Sequence, residues 1–442
     1  MLGASRYGLT RDGPMTDQQT NALLSRAHAA QQSGDVHAAS ALYHQLLILV
    51  PEHPGALNSL GVLAINRGEF ATAVSFHQRA AAADPSAGPL WLNLARAQRE
   101  LGDVAGERAS LEAALAIDRL DFMALIRMAQ LHERVGENGE AAALWSGIVQ
   151  IAPPPTQRGE GLNAILEHGQ SFVAAHGRAF ADEMTRGLAD ARTAAGDADL
   201  RRFDACVDVM LGKRRVYTNQ CAGLHVPFLP ADEFFDRSYF AWMAQVEAQS
   251  DAIRDELIAL LNDQTAAFAP YVSQDPGTPN NLWTPLDNSL AWSAFYLWKY
   301  GIKDEAACLK CPQTAAMLAS IPGAKMPNRA PTAFFSILKP RTRIPPHTGV
   351  TNSRTIIHLP LIVPDGCGFR VGGETREWRY GEALAFDDTI EHEAWNDSDA
   401  LRAVLIFDVW NPHLTPIETQ MIQTMFDVSD ASAMAPKTLR PA

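Results

Sequence analysis

Pro345-Pro346-His347-Thr348-Gly349-Val350-Thr351-Asn352-Ser353-Arg354-Thr355-Ile356-Ile357-His358 is the stretch on which the fold of the C-terminal half turns. It opens on two prolines, passes a glycine and an asparagine, and ends in a run rich in β-branched residues. Successive side chains of a strand point to opposite faces, so Arg354, Ile356 and His358 share one face. A strand is predicted over 353–363. Further short apolar runs at 333–339, 382–387 and 401–410 are expected to be strands as well. Pro364-Asp365-Gly366 and Asn396-Asp397-Ser398-Asp399 read as turns between them. Several short strands within about 120 residues favour a small barrel or sandwich.

The chemistry-bearing residues of this region are few. The chain has 13 histidines, and His347, His358 and His392 fall here. His392 lies in Phe386-Asp387-Asp388-Thr389-Ile390-Glu391-His392-Glu393-Ala394-Trp395, and Arg402 opens the otherwise apolar run that follows. Two imidazoles from separate strands can hold Fe(II) and leave positions open on the metal. An inward arginine can grip a carboxylate bidentately. An isolated histidine among apolar residues is, however, more often a packed core or loop residue than a ligand. Arg402 needs an anion, because an unpaired charge in an apolar strand costs several kcal/mol. The residues alone leave open whether that anion is Asp408, Glu393 or a bound ligand.

Outward toward the N-terminus the pattern changes to a repeat. Gly34, Gly68, Gly102 and Gly136 are 34 residues apart, each followed by an acid: Asp35, Glu69, Asp103, Glu137. Ala27, Gly61, Ala95 and Ala129 precede them at a constant interval. Ala39, Ala73, Glu107 and Ala141 follow at another. Glycine supplies the left-handed turn that ends a helix, the acid starts the next one, and small residues let paired helices approach. One helix pair cannot bury its apolar face alone, so the pairs must stack. The period resembles tetratricopeptide repeats over 19–154, about four copies, the third lacking the alanine at Glu107. Asn58, Asn93 and Arg127 are candidates for a peptide-binding face. Residues 1–18 read as a disordered leader, 155–223 as a helical connector, 237–262 as one amphipathic helix, and 426–442 as a polar tail.

Composition bounds the function. With 37 Lys and Arg against 50 Asp and Glu, the net charge is −13. That argues against nonspecific binding to nucleic acid or to an anionic membrane. No apolar run approaches a membrane span, and the N-terminus has no signal-peptide core. Five cysteines are an odd, sparse set suited to a reducing compartment. A cytoplasmic protein is expected.

Residues 292–416 resemble the aspartyl/asparaginyl β-hydroxylases. The likeness rests on the two stretches quoted above, on Arg402, and on Phe407-Asp408-Val409-Trp410-Asn411-Pro412-His413-Leu414-Thr415-Pro416. It implies a multidomain chain, α then α+β: a tetratricopeptide α-solenoid, then a double-stranded β-helix (jelly-roll, cupin-like) over 224–425. It implies Fe(II), with 2-oxoglutarate and O2 as cosubstrates, and hydroxylation of the β-carbon of Asp or Asn in a peptide or protein presented by the repeats. His347 and His392 match the metal-binding and catalytic histidines, and Arg402 and Ser336 the grip on the distal carboxylate of 2-oxoglutarate. His358 matches a residue near its other end, Trp292 a pocket tryptophan, and Arg354 a substrate-binding residue. Gly349 stands where most related oxygenases have Asp. Ile356 stands where the animal enzymes have a second arginine, for which Lys339 and Arg341 are candidate substitutes. Ile356 also raises a small-molecule or acyl substrate as an alternative, and a scaffold with an inactive barrel is a third. Cys308-Leu309-Lys310-Cys311 is too small a set for a zinc site and reads as two thiols or a disulfide.

Overall fold

The computed structural model describes residues 17–432 and Met434. The expected leader, but for its last two residues, and the end of the expected tail lie outside them. The chain forms two compact units that divide between Ala198 and Asp199. The region read as one connector, 155–223, is therefore shared between them.

The first unit is a run of helix pairs: α1 (Asp17–Gln32), α2 (Val36–Leu49), α3 (Pro54–Asn66), α4 (Phe70–Ala83), α5 (Gly88–Leu101), α6 (Val104–Ile117), α7 (Phe122–Val135) and α8 (Asn138–Ile151). The long α9 (Glu160–Ala195) follows. The four repeat glycines occupy the turns within pairs at φ of +80°, +76°, +82° and +80°, where a Cβ is disfavoured. Asp35 and Asp103 cap the next helix, accepting from the amides of Ala38 and Gly106 at 2.9 Å. Ala27, Gly61, Ala95 and Ala129 are buried where helices meet. A Cβ on Gly61 would collide with the His77 ring, which is why that position is glycine. Among the described residues no helix is long and apolar enough to cross a membrane.

The second unit opens with α10 (Arg201–Met210). The segment expected as one helix over 237–262 is instead a 3-10 turn at Arg237–Tyr239, then α11 (Met243–Glu247) and α12 (Ser250–Asn262). Asp236 accepts from the Ser238 amide at 2.7 Å and closes the first turn on itself, so the helical spacing of Phe240, Met243 and Val246 is shared by separate pieces packed on one core. The strands are β1 (Ala269–Pro270), β2 (Trp292–Lys299), β3 (Ile302–Lys303), β4 (Ala333–Leu338), β5 (Thr342–His347), β6 (Arg354–Ile362), β7 (Cys367–Val371), β8 (Glu374–Arg376), β9 (Leu384–Phe386), β10 (His392–Asn396) and β11 (Arg402–Trp410). Between β3 and β4 lie α13 (Glu305–Lys310) and α14 (Pro312–Ser320), and α15 (Pro416–Ala431) follows β11. The four strands expected from sequence are β4, β6, β9 and β11. The expected tail begins inside α15, whose Phe426 is buried against Ala324, Met326 and Ala330.

Two antiparallel sheets result. One has the order β1-β2-β4-β11-β6-β9, with β3 paired to β2, and the other β5-β10-β7-β8. β5 carries Pro345 and Pro346, which have no amide to donate. It lies at a sheet edge, where such residues are tolerated. The larger sheet is buried on both faces. Phe335, Ile337, Ile357, Leu359, Ala403, Leu405 and Phe407 pack under α11, α12, α13 and α14. Leu338, Phe386 and Val404 face the smaller sheet, with Ile344, Phe369, Val371 and Ala394 opposite. The alternate residues on that second face also line the site.

Candidate active site

A cavity of about 640 Å3 is lined by residues of both sheets. All seven residues singled out from sequence line it: Trp292, Ser336, His347, Arg354, His358, His392 and Arg402.

His347 ends β5 and His392 begins β10, and the two are direct partners in the strand register. A bulge between His392 and Ala394 follows at once and re-aims the strand there. The ring centroids are 4.1 Å apart. Each ring donates Nδ1–H to a backbone carbonyl two residues upstream, His347 to Pro345 at 2.8 Å and His392 to Ile390 at 3.0 Å. A carbonyl only accepts, so this fixes the tautomer and leaves the Nε2 lone pair on each ring for a ligand. Burial holds both imidazoles neutral. It lowers His347, and with the neighbouring His347 it takes His392 down to about 3.

Arg402 answers the question its sequence left open. Neither candidate carboxylate reaches it: Glu393 pairs with Arg370 at 2.5 Å, and Asp408 with Arg354 at 2.6 Å. Arg402 is 1% exposed. Its guanidinium lies over the Trp378 ring at 4.5 Å, Nη1 donates to the Ser336 hydroxyl at 3.3 Å, and Nε has no partner. Burial without a counter-charge lowers it to about 9. Trp292 Nε1 also donates to Ser336 Oγ, at 3.1 Å. With its oxygen accepting twice, the Ser336 O–H proton is available to a further acceptor. Arg402 and Ser336 thus place adjacent donors in the cavity, an arrangement suited to a carboxylate. His358 lies on the neighbouring strand, opposite Ile406. It is kept neutral by burial and by Arg402, and its Nδ1 is unpartnered.

Arg354 is differently placed. It is buried in a pair with Asp408, which also accepts from the Thr332 amide at 3.1 Å. Burial alone would lower Arg354, but Asp408 and then Asp388 more than offset it and hold it charged. Ile356, two residues further along β6, and Ile406, opposite His358, line the same cavity. Lys339 and Arg341 do not substitute for a second arginine here. Lys339 is exposed, and exposed Arg341 pairs with Asp399 at 2.6 Å, because β4 ends at Leu338 and both residues leave the sheet with the turn.

The sequence marks Asp388 only as one acid among several, either supporting the site or on the surface. It is a cavity residue. Its backbone carbonyl accepts from the Gly349 amide at 2.6 Å, and any side chain at 349 would collide with its carboxylate. Burial raises it to about 7, partly offset by Arg354. A carboxyl raised in the folded state costs nothing below its unfolded value near 4. The cost accrues up to pH 7 and persists above. Asp388→Asn is expected to stabilise the apoprotein at pH 8 by up to about 4 kcal/mol and to change little at pH 4. Urea unfolding at both pH values checks this, and an equal increment at both would sink it.

The outer wall is aromatic. Tyr271 stacks on Trp292 at 3.9 Å, and Trp283 meets the His347 ring edge-on at 4.9 Å. Tyr296 and Phe334 continue this wall. Cys308 and Cys311 are buried free thiols outside the cavity. Burial pushes Cys311 up to about 12, which makes it unreactive. Among the described residues no group of three or more His, Cys, Asp or Glu is arranged to hold a metal ion. The candidate metal position is the two-histidine pair.

Residues 247–412 match the family model described as aspartyl/asparaginyl beta-hydroxylase. Over this segment the chain is similar to the aspartyl/asparaginyl β-hydroxylases. The human aspartyl/asparaginyl beta-hydroxylase is 36% identical over 182 residues, 41% of this chain and 22% of that protein. The chain therefore spans about a fifth of that relative. An ornithine lipid ester-linked acyl 2-hydroxylase of Rhizobium tropici is 36% identical over 187 residues, 41% of this chain and 62% of that protein. Among solved structures, YrrB, described as a TPR protein with an unusual peptide-binding site, is 18% identical. That match covers 30% of this chain and 68% of that one, with a TM-score of 0.28. The matched segment contains both histidines, Arg402, Ser336 and the Arg354–Asp408 pair.

Proposed function

We propose that the chain is an Fe(II)- and 2-oxoglutarate-dependent dioxygenase that hydroxylates the β-carbon of an aspartyl or asparaginyl residue in a peptide or protein. The reading takes the two sheets as a double-stranded β-helix and the repeats as the element that presents the substrate, in the cytoplasm. The observation that carries it is Arg402, a buried guanidinium without a carboxylate, sharing one cavity with two neutral imidazoles. The donor set fits the groups: free Nε2 atoms on His347 and His392 for the metal, and Arg402 with the Ser336 hydroxyl for a carboxylate. When bound, Fe(II) and 2-oxoglutarate supply oxidative decarboxylation, to succinate and CO2, coupled to hydroxylation of a C–H bond by O2.

The residues of the chain hold and shield. The carbonyls of Pro345 and Ile390 orient the imidazoles. Trp378, stacked with Phe369 at a centroid distance of 5.5 Å, covers Arg402 and keeps water from it, so a carboxylate reaching the guanidinium meets a preorganised donor. Tyr271, Trp283 and Trp292 form a wall that excludes water from the reacting atoms.

A second substrate class is favoured by a specific observation. Arg354 is neutralised by Asp408, and Ile356 and Ile406 line the same cavity. The same chemistry on a small molecule or acyl chain suits such a wall. Succinate release with Asp- or Asn-containing peptides against acyl compounds separates the two.

The central test needs no substrate. Fe(II) and then 2-oxoglutarate are added to the apoprotein without oxygen. A saturable visible charge-transfer band is expected, absent in His392→Ala. A folded wild type that gives no band would leave the barrel as an inactive scaffold.

A further inference from the structure

The two loops next to the cavity histidines are irregular. Residues 348–352 follow His347 at the end of β5, and 387–391 precede His392 at the start of β10. They meet where the Gly349 amide donates to the Asp388 carbonyl at 2.6 Å. Carbonyls that no neighbouring strand takes up need donors from elsewhere, because an unpaired buried main-chain group is costly.

A strap earlier in the chain supplies those donors. It runs over 217–226, after α10, with no helix or strand of its own. The Gln220 amide donates to the Thr389 carbonyl at 2.8 Å, the Ala222 amide to the Gly349 carbonyl at 3.2 Å and the Gly223 amide to the Val350 carbonyl at 2.8 Å. Asn352 closes the far end, accepting from the Val226 amide at 2.8 Å and donating to the Val226 carbonyl at 2.9 Å. One strap therefore binds the loops of both histidines.

At the near end Asn219 does so with its side chain. Its Nδ2 donates to the Asp387 carboxylate at 2.7 Å and to the Thr389 hydroxyl at 3.0 Å. Thr389 gives Asp387 its own hydroxyl proton at 2.6 Å and its amide at 3.0 Å. Asp387 and Thr389 are fully buried, so Asn219 supplies from outside the turn a donor that a buried carboxylate requires. The next residue is Ile390, whose carbonyl orients the His392 ring. A turn that shifts moves that carbonyl, and with it the direction of the Nε2 lone pair. None of residues 217–226 lines the cavity. They also precede the matched segment, 247–412, so that likeness gives them no role.

We propose that this strap, through Asn219, is a positioning element for the two-histidine site and sets its affinity for a metal that the strap does not touch. The proposal rests on reading His347 and His392 as metal ligands. Groups that hold a ligand in orientation matter nearly as much as the ligand, and losing one typically weakens metal binding by roughly 10–100-fold.

The test is titration of the full chain with Co(II), followed by its visible d–d absorption, beside urea unfolding of each apoprotein. Asn219→Ala should weaken Co(II) binding by roughly 10–100-fold. Thr389→Val keeps the side-chain shape and removes the hydroxyl between Asn219 and Asp387, so it should do the same, and Thr389→Ser should restore the affinity. Leu257→Ala changes the core on the other face of the larger sheet. It should lower the urea midpoint and leave Co(II) affinity unchanged. Wild-type binding that is lost in His392→Ala but unchanged in Asn219→Ala and Thr389→Val would overturn the proposal and leave the metal reading standing. Equal weakening in Leu257→Ala would also overturn it, since the strap would then act through stability alone. Wild-type protein that binds no Co(II), or a His392→Ala variant that binds it equally well, would overturn the metal reading and the proposal with it.

Discussion

Arg402→Met is expected to make the apoprotein more stable and at the same time to abolish its affinity for 2-oxoglutarate. The two effects have one cause. The guanidinium is buried, with a hydroxyl and an aromatic face for company and no counter-charge. In the apoprotein it is a desolvated charge that nothing repays. Replacing a buried charge with an apolar side chain of similar length is worth ~1–4 kcal/mol where packing is kept. A carboxylate entering the cavity would repay that cost, so its loss should weaken 2-oxoglutarate binding by ~100-fold or more. Thermal melts of the apoprotein and anaerobic titration of the charge-transfer band measure the two separately. A variant that is less stable and binds equally well would mean that Arg402 serves the fold and not a ligand.

Asp408→Asn is expected to be the most damaging single change to the stability of this unit. It keeps the shape of the side chain and the acceptor for the Thr332 amide, but removes the charge facing Arg354. Both groups are buried, the Asp408 side chain at 1% exposure and Arg354 at 12%. Breaking such a pair from one side leaves a buried guanidinium without its hydrogen-bonded carboxylate, with Asp388 the remaining acid near it, at a cost of ~3–5 kcal/mol. Removing both charges, Asp408→Asn with Arg354→Met, should recover most of that loss. Urea denaturation of the four proteins in the cycle gives the coupling. A loss under about 1 kcal/mol in the single variant would show that water reaches the pair.

Local chemistry made much of this protein readable in advance. The glycines at 34-residue spacing sit at positive φ because only glycine turns there cheaply, and a repeat announces itself by recurrence. β4, β6, β9 and β11 were visible because they alternate within apolar runs. β5 and β10 were not, since β5 contains two prolines and β10, His392-Glu393-Ala394-Trp395-Asn396, is no apolar run. The break within 237–262 was equally hidden, because three pieces packed on one core keep a helical spacing.

What the amino-acid sequence determined by itself is the identity of the groups: a repeat array, two histidines, an arginine and a serine in the order of a hydroxylase family. What only the tertiary structure decided is how their charges are shared. Asp408, six residues after Arg402 on the same strand, could have neutralised either arginine, and it is the strand register opposite β6 that gives it to Arg354. Arg402 is left with the Ser336 hydroxyl and the Trp378 ring and without a carboxylate. Asp388 is likewise unremarkable as one acid among several, until Gly349 brings its carboxyl into the cavity and burial raises it. Charge pairing and desolvation depend on distance through space and on exclusion of water, and neither is written in the order of residues along the chain.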